Sequence, residues 1–144
     1  MEIVKIEPFT VRGLSTRTDN KNEAAPETAK IGPLWQRFFQ GYGPYLPPNT
    51  PLYGVYCDYE SDMEGPFRVV AGVQGFPEGE EVTVAGGDYM VFLANGPMPD
   101  AMILAWQQAW AYFADEKAPK RTYHTDFELY TGGESGAVYI GIER

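Results

Sequence analysis

Cysteine and histidine each occur only once in this sequence, as Cys57 and His124. A single cysteine excludes an internal disulfide, and one thiol with one imidazole excludes zinc sites built from several such ligands. A lone histidine also gives little basis for a Ser-His-Asp triad. We therefore predict that the chain has no metal site and no cofactor.

Basic residues and long apolar runs are scarce as well. The 144 residues include 11 Lys and Arg against 20 Asp and Glu, a formal net charge of −9. This balance argues against direct binding of nucleic acid or of an anionic membrane surface, because both require clustered cations. No apolar run approaches the roughly 18 residues of a membrane-spanning helix, and residues 1–12 lack the apolar core of a signal peptide. We expect a soluble, cytoplasmic protein.

Aromatic residues, in contrast, are abundant. They make up 15% of the chain and include ten tyrosines. The length suits a single domain, residues 1–144, with a substantial core. An acidic, tyrosine-rich domain is suited to binding apolar cations, because aromatic faces attract positive charge.

The apolar spacing predicts two helices among several short strands. One helix is predicted to begin at Pro26 and to bury Ile31, Trp35 and Phe38, and the second to begin with Asp100 as its N-cap. Period-two segments bounded by turn residues indicate strands. These segments are residues 3–15, 52–60, 67–75, 82–95, 126–131 and 137–143.

The two halves of the chain follow the same order. A shift of 75 positions places Ile31, Trp35 and Phe38 on Trp106, Trp110 and Phe113. We therefore predict an α+β fold made of a duplicated β-α-β-β unit with pseudo-two-fold symmetry, its repeats covering roughly residues 1–76 and 80–144. The strands would form an antiparallel sheet with two helices on one face, and a central cleft would lie where the units meet.

Strand alternation suggests which side chains line that cleft. Phe127 and Leu129 alternate with polar neighbours, and apolar faces of this kind are expected to lie beneath the helices. The helix-free face would then carry Glu128, Tyr56, Tyr130 and Tyr139. A carboxylate among aromatic rings favours cations that lose their hydration easily.

Less specific interpretations compete with this one. A glutamate in a strand is commonly a solvated surface residue, and exposed tyrosines are ordinary on sheets. Trp106 and Trp110 lie on a helical stripe, which favours a role in the core.

Seven segments of the chain together resemble a known family. They are PLWQRFFQ, YGVYCDYE, FRVVAGVQG, GGDYMVFLANG, AWQQAWAYF, DFELY and VYIGI. The sequence resembles the GyrI-like effector-binding domains of AraC- and MerR-type regulators, and most of all the standalone integron-cassette proteins that bind cationic drugs. The resemblance implies a ligand cleft whose acidic residue is the glutamate of the FELY motif, here Glu128. It also implies aromatic lining residues at Tyr56, Trp110, Tyr130 and Tyr139.

These observations favour a standalone module that binds hydrophobic or amphipathic cations. Such a module could serve drug sensing, sequestration, or transcription regulation through a partner, because no helix-turn-helix precedes the first predicted strand. Two alternatives stay open from the resemblance. One is a gyrase-inhibitor-like module that binds a protein partner, and the other is a small hydrolase in which Glu128 acts as general base. A protein partner or a homo-oligomer is compatible with the sequence.

Overall fold

The computed structural model describes residues 2–144. Its strands are β1 (Glu2–Ile6), β2 (Phe9–Thr18), β3 (Leu52–Cys57), β4 (Phe67–Gln74), β5 (Glu80–Val84), β6 (Gly87–Asn95), β7 (Arg121–Gly132) and β8 (Ser135–Ile142). Its helices are α1 (Asn20–Glu23), α2 (Ile31–Tyr42) and α3 (Asp100–Phe113), and a short 3₁₀ turn, Gly43–Tyr45, follows α2.

All eight strands form one antiparallel sheet in the order β1-β6-β8-β7-β3-β4-β2-β5. When each strand is exchanged for its counterpart in the other half of the chain, the result is the same order read from the opposite end of the sheet. The central pair is β3 and β7, and the first strand of each half lies at the edge of the other half. The predicted α+β fold with a duplicated unit is confirmed.

Both longer helices pack on the same face of the sheet. Helix α2 lies over β2 and β4, and α3 lies over β6 and β8. The larger core lies beneath them and includes Phe38 of α2 and Met102 of α3. The central strands β3 and β7 are left between the two helices, which opens a cleft over the middle of the sheet.

The opposite face of the sheet has a second apolar core. There Phe9 of β2 and Tyr89 of β6 both contact the ring of Phe127 in β7. Only two residues join β1 to β2, and only two join β5 to β6. Yet β1 and β6 lie at one end of the sheet, and β2 and β5 lie at the other. The sheet therefore curves away from the helices until its ends cover its own middle.

Two predicted strands are each divided in the structure. The segment 3–15 breaks at Pro8 and the segment 82–95 breaks at Gly86. These connections pack against each other, because a Cβ at Gly86 would lie 2.8 Å from Cδ of Pro8. A proline that cannot donate to the ladder and a glycine that allows close approach explain both breaks.

The helix boundaries also differ from the prediction. The helix expected from Pro26 begins at Ile31 and has a separate short α1 before it. Pro33 falls within the first turn of α2, where a missing N–H group costs no hydrogen bond. Asp100 is the first residue of α3 and its N-cap is Pro99, so the predicted N-cap was one residue too late.

Candidate functional site: an acidic cavity between the helices

Glu128 lies on the face of the sheet that the helices cover. It pairs with Gly54 of β3 and with Val138 of β8, which is part of the core beneath the helices. The predicted alternation along β7 is therefore correct, but the expected helix-free location of Glu128, Tyr56 and Tyr130 is wrong. The apolar residues of β7, Phe127 and Leu129, face the second core, which is covered by the curved ends of the sheet and not by helices.

Tyr139 does not lie with Glu128. It pairs with Phe127 across β7 and β8, and the two rings stack with centroids 4.4 Å apart on the opposite face. The prediction that Tyr139 shares a face with Glu128 is wrong, and this tyrosine does not line the cavity described below. The sequence alternation of β8 was correct, since Val138 and Ile140 lie beneath the helices.

The Glu128 carboxylate accepts three hydrogen bonds from aromatic side chains. Trp106 donates through Nε1 to Oε2 at 2.7 Å, and Tyr56 donates to the same oxygen at 3.0 Å. Tyr130 donates to Oε1 at 2.9 Å. Only 5% of Glu128 is exposed, and none of the ion pairs within residues 2–144 includes it.

Burial determines the protonation of this group. Loss of hydration raises the pKa of the Glu128 carboxyl above its usual value, and the hydrogen bonds from Trp106, Tyr130 and Tyr56 offset only part of that rise. A charged form of Glu128 is therefore costly until a positive charge reaches it.

Gly54 provides the space that the carboxylate occupies. A Cβ at this position would lie 2.7 Å from Oε1 of Glu128 and 3.3 Å from Cζ2 of Trp35. Any larger residue at position 54 would therefore displace the carboxylate of Glu128 or the indole of Trp35. The glycine in the YGVY segment thus has a role in shaping the site.

A cavity of about 700 Å³ opens above Glu128, between α2 and α3. Its size falls within the usual range for small-molecule sites. All three tryptophans of the chain line it. The other lining residues are Asn20, Glu23, Ala24, Ile31, Gly32, Tyr56, Tyr59, Met63, Phe67, Pro99, Met102, Ile103, Gln107, Arg121, Glu128 and Tyr130. Of the predicted residues, Tyr56, Trp110, Tyr130 and Glu128 thus share one cavity.

A second buried carboxylate, Asp126, lies on the same face of β7 but already has a cationic partner. Arg121 donates to its Oδ2 at 2.7 Å, Tyr59 donates to the same oxygen, and the Gly141 N–H donates to Oδ1 at 2.9 Å. Asp126 is completely buried. Its charge is balanced by Arg121, whereas buried Glu128 has no positive partner among the residues that the structure describes.

The segment around α1 forms one rim of the cavity. Asn20 donates to the carbonyl of Met63 at 2.8 Å, which joins this rim to the turn before β4. Glu23 accepts from the backbone N–H groups of Lys30 at 2.8 Å and Ile31 at 3.1 Å, so its carboxylate caps α2. Glu23 is only partly buried and its carboxylate keeps contact with water, whereas Glu128 is buried.

Several lining residues were not predicted from the sequence. Trp106 was assigned to the core, yet its indole N–H donates the shortest of the hydrogen bonds to Glu128. The sequence did contain a signal for Trp106: it lies four residues before Trp110, so the two indoles share one helix face. Trp35 was equivalent to Trp110 in the repeat register. Arg121 lies outside the predicted strand 126–131, but it begins β7, whose pairing with β8 is irregular between Arg121 and Asp126.

Neither a metal site nor a membrane span occurs in the part of the chain that the structure describes. Residues 2–144 contain no group of three or more His, Cys, Asp or Glu side chains that could hold a metal ion. Among the same residues, every helix is too short or too polar to cross a bilayer.

The cavity between the helices has the size of a small-molecule site, and comparison with known proteins gives the family. The family model described as "integron-associated effector binding protein" matches residues 2–142, so the chain belongs to this family. The resemblance noted in the sequence is confirmed. No curated protein matches the chain significantly.

Solved structures agree with this assignment. An integron cassette protein from the mobile metagenome of Vibrio cholerae is 37% identical, with a TM-score of 0.92 over 99% of this chain and 95% of that one. A protein solved bound to tetraphenylphosphonium is 19% identical, with a TM-score of 0.77 over 99% of this chain and 93% of that one. A candidate transcription regulation protein from Staphylococcus aureus MU50 has the same identity and TM-score and is covered over 97% of its length. The last two comparisons show a shared fold.

Proposed function

We propose that this protein binds hydrophobic cations in the cavity between α2 and α3, with Glu128 as the countercharge. One observation carries the proposal: Glu128 is a buried carboxylate at the wall of a cavity of about 700 Å³, and three aromatic side chains donate to it while residues 2–144 supply no cationic partner. Leaving such a group unpaired costs stability, so its retention is best explained by a positively charged ligand.

The lining favours cations whose charge is shielded or delocalised. A small inorganic cation would have to exchange a strong hydration shell for one carboxylate and aromatic rings. A quaternary or aromatic cation loses little hydration and gains about 0.5–2 kcal/mol from each ring face that it contacts. With Trp35, Trp106, Trp110, Tyr56 and Tyr130 on the walls, the site selects by charge and tolerates different shapes.

The comparisons support this class of ligand. A protein of the same fold was solved with tetraphenylphosphonium, a quaternary cation surrounded by phenyl groups. The family to which this chain belongs is described as effector-binding. We propose further that ligand binding in the cytoplasm serves drug sensing, sequestration, or transcription regulation through a partner protein.

Two ions of the same shape and opposite charge test the proposal. Tetraphenylphosphonium is expected to bind at micromolar concentration and to change tryptophan fluorescence, because all three tryptophans line the cavity. Tetraphenylborate should bind far more weakly, since its charge would meet Glu128. Equal binding of the two ions, or no binding of tetraphenylphosphonium at micromolar concentration, would refute the proposal.

A further inference from the structure

The guanidinium of Arg121 is an unusual feature of the cavity wall. Its side chain is only 5% exposed, yet it is one of the residues that line the cavity. Within residues 2–144 its one hydrogen bond runs from Nη2 to Asp126, and its buried Nε has no partner. The group also lies over the ring of Tyr123, 4.5 Å from the centroid.

An arginine has five N–H donors, and burial without acceptors makes the unused ones costly. Asp126 accepts from only one of them, and its other hydrogen bonds come from Tyr59 to Oδ2 and from the Gly141 N–H to Oδ1. The ion pair is therefore balanced in charge but deficient in acceptors. Nε has almost no accessible surface and is out of reach of a ligand, whereas Nη1, which also has no acceptor within residues 2–144, is not fully covered. An oxygen of a ligand in the cavity would therefore accept a hydrogen bond from Nη1.

We propose that the cavity contains a second polar subsite at Arg121, which binds a neutral oxygen acceptor, such as a carbonyl, of the same ligand. This proposal rests on the cation-binding function assigned to Glu128. The ligand class is then a hydrophobic monocation that also carries an uncharged hydrogen-bond acceptor.

The strand geometry sets the approximate separation of the two groups. Asp126 and Glu128 are two residues apart on one face of β7, which corresponds to about 6–7 Å along a strand. Arg121 pairs with Ile142 of β8, whereas Asp126 pairs with Ile140 and Glu128 with Val138, so the backbone of Arg121 lies further from Glu128 than that of Asp126 does. Because Asp126 already balances Arg121, the cationic end of the ligand is drawn instead to Glu128, which has no cationic partner within residues 2–144.

The acceptor is expected to be uncharged for an electrostatic reason. Asp126 already balances Arg121 at 2.7 Å. A ligand carboxylate at the same place would add a second negative charge beside Asp126 and would also lie near Glu128. A carbonyl oxygen satisfies the donors without this repulsion.

Two phosphonium ligands of matched size test the subsite. One is pentyltriphenylphosphonium, and the other replaces one methylene near the end of the pentyl chain with a ketone. Calorimetric titration of the wild-type protein is expected to show about two- to tenfold tighter binding of the ketone, the net effect of one added hydrogen bond. If both ligands bind but the ketone gains nothing, the subsite is refuted and the role of Glu128 stands. If neither ligand binds, the proposed function itself fails.

Arg121→Lys shows whether the preference comes from this residue. Lysine keeps a positive charge for Asp126 but lacks the planar set of donors. The ketone preference should fall to about onefold in this variant, measured as the ratio of the two affinities so that any common change in affinity cancels. Arg68→Lys is the matched control, because Arg68 lies on β4 and does not line the cavity. An unchanged ketone preference in Arg121→Lys would overturn the proposal, and the wild-type comparison decides it if that variant does not fold.

Discussion

Asp126→Asn is expected to lower the free energy of unfolding by about 3–5 kcal/mol, the cost of leaving one member of a buried ion pair without its partner. Asp126 is fully buried, and the Arg121 side chain that it holds is 5% exposed. An asparagine has one oxygen for three donors. In one orientation the amide oxygen accepts from the Gly141 N–H, and the NH₂ group then faces Arg121 and Tyr59. In the other orientation the oxygen faces Arg121 and Tyr59, and the Gly141 N–H loses its acceptor.

Urea denaturation of the two proteins measures this loss. Asp88→Asn is the matched control, because Asp88 is partly exposed and its nearest contact with Arg144 is 4.0 Å. The control should change stability by less than about 1 kcal/mol, as expected of a surface pair. A loss at position 126 as small as that of the control would contradict the described Arg121–Asp126–Tyr59 network.

The second large effect is expected for Glu128→Gln. Its affinity for tetraphenylphosphonium should fall by about 5- to 150-fold, corresponding to about 1–3 kcal/mol for a hydrogen-bonded buried charge. Glutamine fits the existing donors, because its oxygen can accept from Trp106 and Tyr56 while its NH₂ donates to the Tyr130 hydroxyl. The variant therefore removes the charge and keeps the shape of the cavity.

The stability of Glu128→Gln separates lost binding from misfolding. The pKa of Glu128 is raised in the folded protein, so between the unfolded and folded values the native state holds more protons than the unfolded state. Wild-type stability should then decrease as pH rises through that interval. Glutamine does not titrate, so the variant should be at least as stable as the wild type at neutral pH. Full cation affinity in a stable Glu128→Gln protein would contradict the role of this residue.

The general fold could be predicted because local patterns specify it. Alternating residues identified the strands, and the shift of 75 positions between Trp35 and Trp110 revealed the duplication. The exchange of edge strands could not be predicted, since it depends on two-residue connections that cross at Pro8 and Gly86. Those contacts are distant in sequence, and no local propensity indicates them.

The acidic residue of the site was predicted, but its side of the sheet was not. Alternation shows that Glu128 and Phe127 face opposite ways, and it does not show which way the helices lie. Because the curved sheet buries apolar residues on both faces, Phe127 needed no helix. The same ambiguity placed Tyr139 with Glu128, although it stacks on Phe127. Trp106 was missed because a tryptophan on a helical stripe satisfies a core pattern equally well.

The most direct test of the central claim is the proton count on cation binding. Tetraphenylphosphonium should be titrated by calorimetry in buffers of different ionisation enthalpy, from about pH 4 to about pH 7. A cation beside Glu128 lowers the raised pKa of its carboxyl, so the wild-type protein should release protons on binding in the pH interval between the free and bound pKa values. The Glu128→Gln protein should release no protons beyond those that other groups release in both proteins. Tight binding without proton release by the wild-type protein at any pH in this range would contradict the account.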